Sequence, residues 1–138
     1  KKNTMSDNAQ KPPAFIFGAR PVTVESDVKF KSVTGIDVDI TCQFKYRDRK
    51  EFAELWDSLM GQKATQAPER PEDFTFKALA DRDIKGHAEQ VLEYLTGWPL
   101  DLPMNKDSLE QMFTEEPKAA GAFWEAYRRV CIEGPTGN

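Results

Sequence analysis

The side chains that most often carry catalysis are sparse in this 138-residue chain. His87 is its single histidine, and no serine or cysteine accompanies it in a recognised catalytic motif. We interpret His87 as a residue on a helix surface rather than a general base. The eight glycines are scattered singly, so no phosphate-binding loop is indicated. The sequence therefore predicts no catalytic residue, no nucleotide site and no cofactor.

Metal-ligating residue types are present, but not in a pattern that predicts a site. Asp37 and Asp39 share the polar face of a predicted strand, where two carboxylates without a further ligand are usually hydrated. Cys42 falls on the apolar side of the same strand, and Cys131 falls in the last predicted helix. Two isolated thiols are typical of small buried residues in a reducing compartment. We expect no metal ion.

One basic cluster, KYRDRK, could bind an acidic partner or a polyanion. It holds Lys45, Arg47, Arg49 and Lys50 where a strand pattern gives way to a helix pattern. The whole chain has a net charge of −4 and a pI near 5.1, which removes the long-range positive field of general nucleic-acid binders. We interpret the cluster mainly as a hydrated surface and expect no nucleic-acid partner.

Alternating apolar residues predict the sheet that positions these side chains. PVTVESDVKF and IDVDITCQFKY each have period 2, and Gly35 between them can adopt the positive φ of a tight turn. They predict an antiparallel hairpin, 22–30 paired with 36–46, with one apolar face. The upstream AFIFGAR predicts either a further short strand or packing of Phe15 and Phe17 on the same core.

Helical periodicity follows at once in RDRKEFAELWDSLMG. Asp48 and Glu51 have the spacing of a capping box, and Gly61 suits a helix end. We expect this helix to cover the apolar face of the hairpin. Its apolar stripe consists of Phe52, Leu55, Trp56, Leu59 and Met60.

The remaining chain is predicted to be mainly helical. Residues 61–73 predict a loop, FTFKAL a short strand, and DRDIKGHAEQVLEYLTG a helix ended by Gly97. Asn105 is a plausible N-cap for a short helix in KDSLEQMF, and Pro117 suits the start of the last helix. We expect the aromatic stripe of that last helix to pack on the short helix. The stripe contains Phe123, Trp124 and Tyr127.

These patterns together predict an α+β fold. It has an N-terminal antiparallel sheet packed by a helix, followed by a C-terminal helical portion. We expect a flexible segment over 1–14 and a single domain over 15–138. No apolar run approaches the roughly 20 residues that span a bilayer, and the N-terminal lysines precede no apolar stretch of a secretory signal. The sequence therefore predicts a cytoplasmic protein without a membrane partner.

Several motifs in a fixed order resemble one protein family. They are FGARPVTVESDVKF, FKYRDRKEFAELWDSL, Gly97–Trp98 followed by Asp101, and a terminal P-AA-AF-EAYRR-C-EGPTGN pattern. From about Phe17 to Asn138 the chain is similar to tail assembly chaperones of long-tailed, siphovirus-type bacteriophages or prophages. None of these motifs is a catalytic signature.

The resemblance implies a chaperone rather than an enzyme. It implies binding to the phage tape measure protein, protection of that client from aggregation, and recruitment of tail tube protein in the host cytoplasm. It also implies absence from the mature virion, self-association, and a longer frameshifted product, with the ending EGPTGN resembling the short product. Our candidate partner-binding residues are Arg47, Arg49, Lys50, Trp98, Arg128 and Arg129. For Trp98 the alternative is a plug in the core.

Two alternatives from other classes remain open. One is a small enzyme with a site of scattered acidic residues around His87. The other is a generic acidic adaptor or a secretion-type chaperone that binds a bacterial client.

Overall fold

A computed structural model describes residues 15–65 and 75–135, and for 62–65 it describes the backbone. The fold is α+β, as predicted. The predicted flexible segment 1–14 and most of the predicted loop 61–73 lie outside the described residues. No helix in the described ranges is long and apolar enough to span a membrane. In chain order the elements are β1 (Thr23–Lys31), β2 (Asp37–Lys45), α1 (Arg49–Thr65), α2 (Phe76–Leu92), β3 (Leu95–Gly97), α3 (Lys106–Glu115) and α4 (Ala119–Ile132).

The sheet is antiparallel, with strand order β1-β2-β3. The predicted hairpin is confirmed to within a residue at each end, with Val28 opposite Ile40 and Gly35 at φ 86° in the turn. Glu116, which follows α3, holds this turn. Its carboxylate accepts hydrogen bonds from the Ser32 hydroxyl at 2.8 Å and the Val33 N–H at 3.0 Å. The tip of the hairpin is thereby tied to the C-terminal helices.

The apolar face of the sheet is covered by α4. The Phe44 and Tyr127 rings lie 5.6 Å apart, and the Ser26 hydroxyl donates to the Ala126 carbonyl at 2.9 Å. The expectation that α1 would cover the hairpin is wrong, because α1 packs on α4 instead. Phe52 of α1 stacks on Trp124 at 5.3 Å. Helical periodicity shows that α1 has an apolar face, but it does not show which element that face meets.

The start of α1 agrees with prediction and its end does not. The Asp48 N–H donates to Glu51 Oε1 at 3.0 Å, and the Glu51 N–H donates to Asp48 Oδ1 at 2.8 Å, which confirms the capping box. Gly61 does not have a positive φ, and the helix continues to Thr65. A glycine in the interior of a helix lowers its stability modestly but does not by itself end it.

The second helix is displaced toward the N-terminus relative to prediction. The FTFKAL segment is not a strand, because the Thr75 side chain accepts the Ala78 N–H at 3.0 Å and caps α2. The helix ends at Leu92, and Leu95, predicted to be helical, is buried in β3. Strand β3 pairs with β2, with Gly97 opposite Gln43 and Leu95 opposite Phe44. A Cβ on Gly97 would lie 2.6 Å from Oε1, the flexible end of the Gln43 side chain, which would have to move aside.

The C-terminal helices are largely as predicted. Asn105 caps α3 by accepting the Ser108 N–H at 2.9 Å, and α4 begins two residues after Pro117. Only Phe123 of the aromatic stripe contacts an aromatic ring of α3, that of Phe113 at 6.0 Å. Trp124 and Tyr127 pack on rings of α1, β2 and the segment after α2 instead.

The N-terminal aromatic segment departs from both predicted alternatives. Phe15 and Phe17 are 87% and 91% exposed, and no strand forms there. Their rings lie 6.4 Å from each other, outside the core. The buried face of the sheet is already occupied by α4, so it does not receive these side chains.

Candidate partner-binding site

Arg47, a predicted partner-binding residue, makes its hydrogen bonds within the fold. Its Nη1 donates to the Tyr127 hydroxyl at 3.0 Å and to the Glu93 carbonyl at 3.3 Å. The Tyr127 hydroxyl in turn donates to the Lys45 carbonyl at 2.9 Å. Arg47 therefore links the end of β2 to α4 and to the end of α2.

Arg129 is also engaged within the fold, at β1, the edge strand of the sheet that the structure describes. Its Nη2 donates to the Asp27 carbonyl at 3.0 Å. The Tyr46 N–H donates to the Val22 carbonyl, so the backbone N–H and C=O groups of even-numbered residues in β1 point toward β2. The backbone groups of the odd-numbered Asp27 therefore point away from β2, toward the edge of the sheet. Arg129 thus covers one carbonyl of an edge strand that could otherwise pair with another chain.

Trp98 lies half-buried against the core. Its indole N–H donates to the Leu102 carbonyl at 3.2 Å, and its ring lies 6.5 Å from that of Phe123. Trp98 therefore packs against the core and is only partly buried, beside the loop that precedes α3.

Arg49 and Arg128 are brought together on one surface groove, while Lys50 is exposed beside Arg49 at the start of α1. We call this site the outer groove. It lies between α1 and α4 and is a shallow, open depression of about 320 Å³. Its apolar lining includes Trp56 and Ile132, which are 39% and 41% exposed. The complete lining is Arg49, Phe52, Ala53, Trp56, Arg128 and Ile132.

Sequence reasoning missed Trp56 and Ile132 as surface residues. The α1 stripe is wide, and Phe52, Leu55 and Leu59 at its centre are buried. Trp56 and Met60, at i and i+4 on its border, stay partly exposed. The width of the stripe could have indicated this exposure, because a narrower apolar face is enough to pack against one helix.

The two arginines of the outer groove differ in their electrostatic surroundings. Arg128 donates two hydrogen bonds to Glu125, at 2.6 and 3.0 Å, and lies 3.5 Å from Glu133. The bond to Arg128 lowers the pKa of Glu125, and the same bond raises the pKa of Arg128. Arg49 makes no ion pair or hydrogen bond with any residue that the structure describes. Among the residues that the structure describes, Arg49 is therefore the arginine of the groove that has no partner.

A second concavity lies among α1, the second half of α2 and the start of α4, and we call it the inner cleft. It encloses about 280 Å³. Leu59 and Met60 of α1 form one wall, and Trp124 of α4 contributes another. His87 is exposed on the surface of α2, as interpreted, and lies at the border of the cleft. Trp56 lines the groove and Trp124 lines the cleft, and the rings of these two residues are 5.4 Å apart.

Titratable groups also lie elsewhere in the described part of the chain. Within residues 15–65 and 75–135 no three His, Cys, Asp or Glu side chains come together as metal ligands, and Asp37 is exposed beside Lys31 at 3.2 Å. Cys42 is fully buried, and burial raises its pKa to about 12. Burial also raises the pKa of the half-buried Cys131. Both thiols therefore stay protonated and weakly nucleophilic at neutral pH.

A family model described as phage tail assembly chaperone matches residues 13–138. No curated protein and no solved structure matches the chain. The matched range includes every strand and helix described above and both concave surfaces. The chain therefore belongs to the phage tail assembly chaperone family.

Proposed function

We propose that this chaperone binds the tape measure protein, keeps it from aggregating and promotes assembly of the tail tube. We further propose that it acts in the host cytoplasm, catalyses no reaction and is absent from the mature virion. Tail tube protein, a second copy of this chain and a longer frameshifted product are the other proposed partners. Membership of the family supports the tail assembly role on which these proposals rest.

The outer groove is the observation that carries the proposal. An amphipathic helix can lay its apolar face into such a groove, and a partly exposed tryptophan is the type of residue that most often dominates binding energy. Trp56 is such a residue, and its ring packs on those of Phe52 and Trp124, with centroids 6.3 and 5.4 Å away. The groove therefore has a preformed aromatic floor for the apolar face of a client helix.

Charge at the border of the groove adds a preference for orientation. Arg49 and Lys50 are exposed at the start of α1, whereas Arg128 is already paired with Glu125. Unpaired charges at an interface border contribute to orientation and association rate more than to affinity. A client helix with acidic residues at one end would therefore place that end beside Arg49.

Co-expression with the tape measure protein encoded by the same phage genome tests the proposal. We expect the client to become soluble and to co-purify with this chain, while an unrelated coiled-coil protein does not co-purify. Trp56→Ala should reduce recovery of the complex at least tenfold. Phe76→Ala is the matched control, because Phe76 is 92% exposed and lines neither concave surface.

The co-expression must include an arm with the longer frameshifted product. If the tape measure protein stays insoluble and unbound in both arms, the proposed function is wrong. If Phe76→Ala and Trp56→Ala weaken recovery equally, the outer groove is not the binding surface.

A further inference from the structure

We infer that the inner cleft is a second anchoring site for the same client. It would hold an uncharged apolar segment of a client helix, with a polar group of that segment hydrogen-bonded to the Tyr94 hydroxyl. This inference rests on the proposed function, since the client is the tape measure protein. It extends the binding surface from one side of α1 to the other.

The size and walls of the cleft suit large apolar side chains. Its volume is about 280 Å³, whereas an apolar cavity of about 150 Å³ is enough to hold benzene. The cleft can therefore receive one aromatic side chain, or two aliphatic side chains one helical turn apart. Its apolar lining consists of Leu59, Met60, Val91, Tyr94, Ala120 and Trp124.

Tyr94 supplies an unused hydrogen-bonding group at this site. The residue is 1% exposed, and its hydroxyl is the one buried side-chain N or O atom in the described ranges that has no hydrogen-bond partner. Tyr127, stacked on it at 4.3 Å, has two partners for its own hydroxyl. Buried polar groups of native proteins are nearly always satisfied, so the unsatisfied hydroxyl of Tyr94, a residue that lines the cleft, is the group that a ligand in the cleft would complete.

The charges around the cleft favour an uncharged occupant. Arg82 lies 3.4 Å from Asp83, and Glu89 lies 2.9 Å from Lys106, so these border charges are neutralised in pairs. The outer groove differs, because Arg49 has no such partner among the described residues. An apolar segment with hydroxyl or amide side chains therefore fits the cleft better than an acidic one.

Two features give a client helix access to the cleft. Met60 lines the cleft and is 46% exposed, and its unbranched side chain adapts easily to an incoming group. Gly121 lines the cleft on α4, and a Cβ at this position would meet nothing within 4 Å. At this position no side chain covers the backbone of α4, so a client helix can approach it closely.

A blocking substitution and a matched control test the site. The probes are fluorescein-labelled helical peptides that tile the tape measure protein, with affinity measured by fluorescence anisotropy. Gly121→Leu adds a side chain into the open cleft and should weaken binding at least tenfold. Gly61→Leu adds the same side chain at an exposed glycine of α1 that lines neither site, and it should leave binding within twofold.

Tyr94→Phe tests the hydrogen bond separately. It should weaken peptide binding about two- to tenfold, the range of one typical hydrogen bond. The thermal midpoint of the free protein should not fall, because the hydroxyl removed has no partner there. Circular dichroism confirms that each variant folds. The inference is overturned if Gly121→Leu binds the peptides with the affinity of the parent, or if Gly61→Leu weakens binding as much as Gly121→Leu does. It is also overturned if Tyr94→Phe leaves the peptide affinity unchanged.

Methyl NMR separates failure of this inference from failure of the proposed function. Peptide-induced shifts at Leu59, Met60 and Val91 report the inner cleft, and shifts at Ile132 report the outer groove. Shifts at both sites support the inference. Shifts at Ile132 alone overturn it and leave the proposed function intact. Shifts at neither site, with every peptide, contradict the proposed function itself.

Discussion

The Tyr94 and Tyr127 rings are stacked with their centroids 4.3 Å apart and their planes within 4° of parallel, yet their hydroxyls have opposite surroundings. The Tyr127 hydroxyl donates to the Lys45 carbonyl and accepts from Arg47. No described group bonds the Tyr94 hydroxyl. Two residues of the same type in one aromatic cluster therefore make different contributions to stability.

Phenylalanine at these two positions should separate the contributions. We expect Tyr127→Phe to lower the free energy of unfolding by about 1–3 kcal/mol, because it leaves a carbonyl and a guanidinium without their partner. Tyr94→Phe should be neutral or stabilising. Urea denaturation of both variants measures the difference. Equal decreases in the free energy of unfolding would mean that the Tyr94 hydroxyl has a hydrogen-bond partner in the free protein.

Loss of the capping box should destabilise α1 at its first turn. We expect Asp48→Ala to lower the free energy of unfolding by about 0.5–2 kcal/mol, because the Glu51 N–H loses its acceptor. Asp57→Ala, at an exposed position of the same helix, is the control for loss of one carboxylate. An equal effect of the two substitutions would contradict the capping role.

Stability should fall in acid through three glutamates. The pKa of Glu51 is lowered by hydrogen bonds from the Asp48 N–H and Arg20, and the pKa values of Glu89 and Glu125 are lowered by bonds from Lys106 and Arg128. A carboxylate with a lower pKa in the folded state binds protons more readily when unfolded, so stability rises with pH. The contribution is fully present above the unfolded pKa of roughly 4.3 and is lost as pH falls through the folded pKa.

Thermal unfolding between pH 7 and pH 3 measures this effect. Glu51→Gln should flatten the decline in thermal midpoint, since the substituted side chain no longer titrates. Because these side chains are exposed, added salt should weaken the effect. A midpoint that rises as the pH falls below 4 would contradict the sign of the prediction.

Removal of Arg129 should expose the edge of the sheet. We expect Arg129→Gln to increase self-association through β1, because the Asp27 carbonyl would lose its cover. Arg128→Gln is the control, because it removes the same charge from a side chain that bonds Glu125 and not a strand. This variant should self-associate no more than the parent. Size-exclusion chromatography with light scattering compares the three proteins. Equal association of both variants would point to net charge rather than the strand edge.

Local patterns in the sequence were enough to predict most elements but not how they pack. Period 2 located the hairpin, and cap residues such as Asp48 and Asn105 located two helix starts, because these signals act over a few residues. Strand β3 has three residues, too few to show alternation, and it pairs with residues of β2 that are distant in the sequence. The packing of α4 on the sheet depends on contacts such as Ser26 to Ala126, which are 100 positions apart.

The candidate site was predictable only in part for the same reason. Arg49 and Arg128 were selected from local charge and do line one groove. In the sequence, Arg47 and Arg129 could not be distinguished from Arg49 and Arg128. In the structure they bond partners 80 and 102 positions away. Trp56 was assigned to a buried stripe, because periodicity does not show where a packed face stops and an exposed border begins.

The position of α4 over the sheet also bears on the order of events during synthesis. The apolar face of the hairpin lacks its covering helix until residues 119–132 have been translated and have left the ribosome. Contacts of such large sequence separation form late and slow the folding of a domain. A nascent chain halted before Ala119 would carry Val28, Cys42 and Phe44 without their covering helix, and would itself need protection from aggregation.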